Sequence, residues 1–266
     1  ERAEYARNDA YWTDKAKLDR IVILPIPEAN ARTAALLSNK VDWIEAPAPD
    51  AIPQLRQRGM VITSNAQPHV WPWQPCFAEN SPLRDVRVRR AINLGIDRDG
   101  LKTLLGGMMS VPVGTVPRGH PWFGNPSFNI RTDKAEARRL LAEAGYPNGF
   151  EITLDCPNNR YINDEQICQA IVAMWARVGV RAKLNAMPLA PFFAKIQRDD
   201  TSVYLLGWGV PTLDALYSFQ SLVATRGGQQ GDGIWNYGRY SNPRMDEMIQ
   251  RMKTQSGEPR MEAIRE

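Results

Sequence analysis

Between His69 and Phe77 the chain reads HVWPWQPCF. Pro72 and Pro75 lack the amide proton that a sheet ladder needs, so this stretch cannot be a central, fully hydrogen-bonded strand. It is read as an edge or crossover segment. A second aromatic crossing, SVYLLGW at Ser202–Trp208, has the composition of a buried strand. These two crossings constrain the fold more than any other feature, because what lies between them is patterned as a self-contained α/β unit.

That middle unit opens with SPLRDVRVRRAINLGIDRDGL at Ser81–Leu101. Asp85 stands where a helix wants an N-cap. Val88, Ala91, Ile92 and Gly95 fall on one face at helical spacing, and Arg87, Arg89 and Arg90 fall on the others. Asp97 starts a second helix before Leu101, Leu104 and Leu105. Met108–Asn129 is rich in Gly and Pro and reads as a long surface loop, of the kind that is functional or wraps another part of the molecule. Asp133–Gly145 is a helix with a capping-box start at Asp133 and Glu136. Phe150–Cys156 alternates like a half-buried strand. Asn163–Val178 is a helix, Val180–Ala186 a strand, and Leu189–Gln197 a short helix.

The flanks carry their own elements. Before the first crossing, Asp19–Pro25, Val41–Ala46 and Val61–Ser64 read as strands, with helices at Glu28–Asn39 and Pro49–Gly59 between them. After the second, Leu213–Val223 reads as helical. A Gly-rich loop at Gly227–Gly233 and an aromatic turn, IWNYGRY, lead to a helix over Asn242–Met252. Alternating strands and helices indicate the α/β class. A discontinuous first domain with a second domain inserted explains the order.

Composition excludes several classes. With 43% hydrophobic and 23% charged residues the chain is globular, not disordered. A net charge of +4 over 266 residues, spread along the sequence, is no concentrated basic stripe, which argues against a nucleic-acid surface at the arginine-bearing helix. No run approaches the roughly 18 apolar residues of a membrane span. Both ends read as the interior of something longer, and no signal peptide opens the chain. Cys76, Cys156 and Cys168 match no zinc module. Cys156 at a strand end and Cys168 on the next helix are compatible with one disulfide or with buried thiols.

Catalytic constellations are missing. The two histidines, His69 and His120, lie far apart, and there is no HExxH, GxSxG, P-loop or GxGxxG after a strand. No catalytic residue, metal ligand or cofactor is assigned. What concentrates at the crossings is aromatic surface: Trp71, Trp73, Phe77, Trp208, Trp235 and Tyr237. Such rings supply flat apolar faces with little rotamer entropy, as a ligand cleft between domains requires. Domain-core packing uses the same residues, so both readings stand.

Several segments resemble, in order, the family 5 extracellular solute-binding proteins of ABC importers. NDAYW at Asn8–Trp12 is similar to the family's N-x-x-YW. ALLSNKVDWIE at Ala35–Glu45 resembles its aL-x-x-G-x-vDi signature, with Asn39 where Gly is usual. Ser81–Leu101 resembles PF-x-D-x-RVRqAi-x-x-aiDr-x-x-i, and Asp133–Leu154 resembles D-x-x-kAk-x-LLaeAGy-x-nGf. LLGWGVPTLD and NYGRYSNPRMDEMI match its closing motifs. Met108–Asn129 matches least.

The resemblance implies a two-lobed periplasmic-binding-protein architecture of type II with mixed sheets, one lobe complete and the other partial. Residues 1–77 and 207–266 would belong to the first lobe and 78–206 would form the second. Family members are about twice as long, so the chain is read as a fragment. The implied ligand-binding residues are Trp71, Trp73, Phe77, Trp208, Asp214, Trp235, Asn236 and Tyr237. The implied partners are a small peptide-like solute and a membrane permease, for a monomeric protein of the periplasm, or a cell-surface lipoprotein where the source has no outer membrane. Two departures bear on the ligand. Peptide-binding members carry an Asp three residues after the GW tryptophan, where this chain has Pro211. The Asn that precedes the second lobe is replaced by Phe77. An opine, sugar conjugate or metal chelate therefore stands beside a peptide as the solute, and a hydrolase or transferase acting in the same cleft is the enzymatic alternative.

Overall fold

The computed structural model describes residues 2–65, 69–114, 116, 120–126 and 128–266. They divide into two compact units, Glu1–Ile62 and Thr63–Glu266.

In the smaller unit, β1 (Ala3–Ala6) pairs antiparallel with β2 (Arg20–Ile23), Ala3 opposite Ile23. Helix α1 (Ala29–Leu37) is tied down by Arg32, whose guanidinium donates to the carbonyls of Ile26, Pro27, Glu45 and Ala46. Just past its end, Asn39 adopts a left-handed conformation, φ 55°. That is the one position where Gly and Asn substitute for each other at low steric cost, which accounts for Asn at the Gly of the motif. A 3-10 turn at Pro49–Ala51 leads into α2 (Ile52–Gln57). The strands expected at Val41–Ala46 and Val61–Ser64 do not form: neither has a ladder partner among the described residues, and Trp43 and Val61 are exposed. β-branched composition alone does not make a strand without a neighbour to bond it.

The larger unit is built on a four-stranded mixed sheet. Its elements are β3 (His69–Val70), β4 (Trp73–Pro75), α3 (Val86–Leu94), α4 (Arg98–Leu104), α5 (Lys134–Glu143), β5 (Phe150–Pro157), α6 (Asp164–Ala176), β6 (Val180–Met187), α7 (Leu189–Ile196), β7 (Val203–Leu205) and β8 (Trp208–Gly209). The sheet order is β4-β7-β5-β6, with β5 parallel to both β6 and β7 and β4 antiparallel to β7. The proline-bearing segment therefore sits at the edge, as Pro72 and Pro75 require. β5, expected to be half-buried, is buried through Leu154–Pro157 because β7 joins it on the side away from β6.

The three strongest helix readings hold, each for the reason the sequence supplied. Asp85 accepts from Arg87 N–H at 2.8 Å, Asp97 from Gly100 N–H at 3.0 Å and Asp133 from Glu136 N–H at 3.0 Å. Glu136 does not return the bond; it pairs with Arg139, so the box is only half made. Val88, Ala91 and Ile92 of α3, Ala137, Leu140 and Leu141 of α5, and Ile167, Ile171 and Trp175 of α6 join one core with β5 to β7. Arg89 is not a solvated side chain: it donates to the carbonyls of Leu83 and Arg84 and lies 5.1 Å from the Phe77 ring.

Beyond β8 come α8 (Ala215–Ser218), a π-helical turn (Phe219–Val223), α9 (Pro243–Thr254) and α10 (Gly257–Arg265). The Gly/Pro-rich loop over 108–129 has neither helix nor strand among its described residues, and residues 115, 117–119 and 127 lie outside them. It wraps the distal helices: Val116, Trp122 and Phe123 pack with Ala215, Met248, Met252, Ala263 and Ile264, and Arg265 Nε donates to Pro121 O at 2.8 Å.

Candidate ligand-binding neck

The two crossings run side by side. Trp73 stands opposite Leu205 and Pro75 opposite Val203 in one ladder; His69 stands opposite Gly209 and Val70 opposite Trp208 in the next. Between the ladders Leu206 N–H donates to Pro72 O at 3.0 Å, and below them Cys76 N–H donates to Ser202 O at 2.8 Å. The single strand expected at Ser202–Trp208 is thus two short ones that change sheets at Leu206–Gly207. The break is enforced by Tyr161, whose hydroxyl accepts from Gly207 N–H at 2.7 Å. A Cβ on Gly207 would lie 2.4 Å from the Tyr161 ring, so only glycine fits. Burial raises the Tyr161 phenol above its ordinary value and keeps it neutral.

Around this neck the expected aromatics separate into groups. Trp208, 7% exposed, stacks on Tyr217 at 5.1 Å with the planes 22° apart and donates its indole N–H to Ser218 Oγ at 3.2 Å. Trp235 meets Trp208 edge-on at 6.1 Å and Tyr237 at 5.9 Å. Phe193 of α7 meets Trp235 at 6.2 Å, and Phe193, Trp235 and Tyr237 also pack in a small core with Phe192, Ile196, Tyr204 and Leu206. Trp71 packs against Tyr161 at 5.5 Å. Trp73 packs on the main core with its indole nitrogen buried and without a hydrogen-bond partner in the described structure. A buried orphan donor of this kind costs about 1–3 kcal/mol. Phe77 stands apart, edge-on to Tyr240 at 5.2 Å.

The two polar residues of the expected set are occupied internally. Asp214 caps α8 by accepting from Leu216 N–H at 2.9 Å, and both of its oxygens accept from the single Nη2 of Arg260, at 2.9 and 2.7 Å. Asn236 donates to Ala224 O at 2.9 Å and Tyr240 O at 2.8 Å and accepts from Tyr240 N–H at 3.0 Å, which pins the aromatic turn. Nearby acids are likewise paired: Asp199 with Arg226 and Arg239, Asp232 with Lys253. Pro211 is exposed and brings no charge. A cavity of about 330 Å³ lined by Cys76, Ser81, Glu151 and Ser202 lies on the same unit but contains none of the expected aromatics.

Sequence reading missed Tyr217 and Tyr161. Tyr217 is 40% exposed and carries the open face of the Trp208 stack. Its signal was an aromatic inside the segment expected to be helical directly after the GW crossing. Nothing in the sequence tied Tyr161 to Gly207, a contact between residues far apart in the chain.

A mixed α/β unit with a two-stranded neck and aromatic rings around it is the build of a periplasmic binding protein. The structure of a dipeptide-binding protein from Pseudoalteromonas in complex with Met-Leu superposes with a TM-score of 0.83 at 20% identity, over 98% of this chain and 52% of that one. The dipeptide-binding protein of Escherichia coli K12 is 25% identical over 94% of this chain and 47% of its own length. The glutathione-binding protein GsiB of the same strain is 28% identical over 92% and 48%. The sequence profile of the bacterial extracellular solute-binding proteins, family 5, matches residues 1–230. The chain belongs to that family, and it spans about half the length of the curated relatives it matches.

Proposed function

We propose that this chain is part of the substrate-binding component of an ABC import system, taking a peptide or peptide-like solute at the neck and delivering it to a membrane permease. In this reading the protein is exported to the periplasm or cell surface, acts as a monomer without a cofactor, and performs no chemistry. Residues 1–77 and 207–266 belong to the first lobe and 78–206 to the second. The carrying observation is the paired crossing itself: β3–β8 and β4–β7 are the only ladders that join the 69–75 and 203–209 segments among the described residues, and the Trp208–Tyr217 stack sits at that junction. Paired strands of this kind form a hinge about which two lobes close on a ligand. The family membership and the relatives named for dipeptides and glutathione support a peptide class.

Pro211 favours a second reading within the same class of protein. Asp199, Asp214 and Asp232 each already hold a cation, so these acids near the aromatic cluster are not free for an ammonium ion. A solute without a free N-terminus, such as a modified peptide or an opine, fits this surface better than a simple dipeptide. The deciding experiment is mass spectrometry of what co-purifies with the full-length protein, followed by thermal stabilisation by that compound. Saturation at about one hundred times Kd stabilises by about 2.7 kcal/mol. Turnover of the compound, or no stabilisation by any peptide, opine or chelate, would overturn the proposal.

A further inference from the structure

Cys156 lies in the buried half of β5 and Cys168 one turn into α6; both are 0% exposed and both belong to the main core. The Cys156 thiol points at the start of that helix, with Sγ 3.3 Å from Asp164 O. In α-helical geometry this is the carbonyl that residue 168 bonds through its amide. Both are free thiols in this structure, and the neighbouring Cys168 thiol, then burial, push the Cys156 thiol well above the ordinary cysteine range. Cys76, 2% exposed, sits outside this core, at the hydrogen bond to Ser202.

We propose that Cys156 and Cys168 are the sites of a structural disulfide in the exported protein, with Cys76 left as the single thiol. The compartment that would make the bond rests on the extracellular reading above; the geometry does not. Bond formation removes two protons and two electrons from the thiols. The electrons pass by thiol–disulfide exchange to an oxidised disulfide, which leaves as two thiols. Because both sulfurs are sealed from solvent, exchange happens while β5 and α6 are still apart, during folding. Once formed, the bond is shielded from reductant until the core opens.

The test is oxidative refolding of the full chain with oxidised and reduced glutathione, followed by iodoacetamide in denaturant and intact-mass and peptide mapping. The expected result is one alkylated thiol, a peptide joining Cys156 to Cys168, resistance to reductant under native conditions, and a Tm about 5–10 °C above the reduced form. C76S should then carry no alkylation at all, and C168S should carry two. If C168S does not fold, C76S alone decides. Three alkylated thiols in the folded, oxidatively refolded chain, or a bond that includes Cys76, would overturn the proposal. Solute binding is scored separately, so a chain that cross-links but binds nothing rejects only the transport reading.

Discussion

Tyr217 and Trp208 form one stack but carry different burdens. Trp208 is almost enclosed and holds Ser218, so Trp208→Ala removes core volume and costs about 3–5 kcal/mol of stability before any solute is considered. Tyr217 keeps an open face. Tyr217→Ala should leave the Tm within a few degrees and weaken solute binding by about tenfold, read by calorimetry; unchanged affinity would remove the stack from the site. Asp214 shows how a residue can sit in a family motif for structural reasons. It caps α8 and grips Arg260, and the residue before it, Leu213, takes a left-handed φ of 56° to bring it there. Asp214→Ala should cost about 1–2 kcal/mol in urea denaturation, after discounting a pair that solvent partly screens. Asp214→Asn should keep the cap and recover part of that loss.

Elements with local signals were readable from sequence, and elements held by distant partners were not. α3, α4 and α5 were placed by Asp85, Asp97 and Asp133, whose carboxylates bond backbone amides within three residues. β5, α6 and β6 followed from periodicity because their apolar residues meet within one strand–helix–strand unit. The strand readings at Val41–Ala46 and Val61–Ser64 failed because pairing is decided elsewhere in the chain. The split of the second crossing depends on Tyr161, and the internal use of Asp214 and Asn236 depends on Arg260 and Tyr240; none of these partners is signalled by spacing. Two consequences can be measured on elements. Gly149, φ 73°, faces Gly179 across the start of β5 and β6, and a Cβ there would lie 1.7 Å from Gly179 O. Gly149→Ala should destabilise by about 2–5 kcal/mol in chemical denaturation.

The helix caps set the acid response. Arg87 holds the Asp85 carboxyl below its ordinary 3.8, and the Glu136 amide does the same for Asp133. Groups with depressed folded values stabilise fully above the unfolded value and lose that contribution as pH falls through the folded one. Stability should therefore drop below about pH 4. The double variant Asp85→Asn, Asp133→Asn, which keeps both acceptors but cannot titrate, should show a shallower fall between about pH 4 and pH 2 in acid-unfolding curves.

For the whole molecule, the wrapped loop and the neck act together on the larger unit. The main core draws its buried residues from Leu83 to Leu205, and the distal helices have their own core, reached by Val116, Trp122 and Phe123 of the loop. The two aromatic crossings, legible in the sequence, run side by side; the loop's grip on α8 to α10 was not legible there.

The two ends of the segment 71–206 lie side by side, joined by the β4–β7 ladder, by Leu206 N–H to Pro72 O at 3.0 Å and by Cys76 N–H to Ser202 O at 2.8 Å. A segment whose two ends meet this closely is a cassette: it can be cut out, or exchanged between relatives, without stretching the chain that remains. A polypeptide of residues 71–206 carries its own sheet and core, and it should unfold cooperatively in urea when followed by circular dichroism. A broad, non-cooperative transition would show that the distal helices are needed to fold it. The same adjacency gives a shuffling event a ready seam.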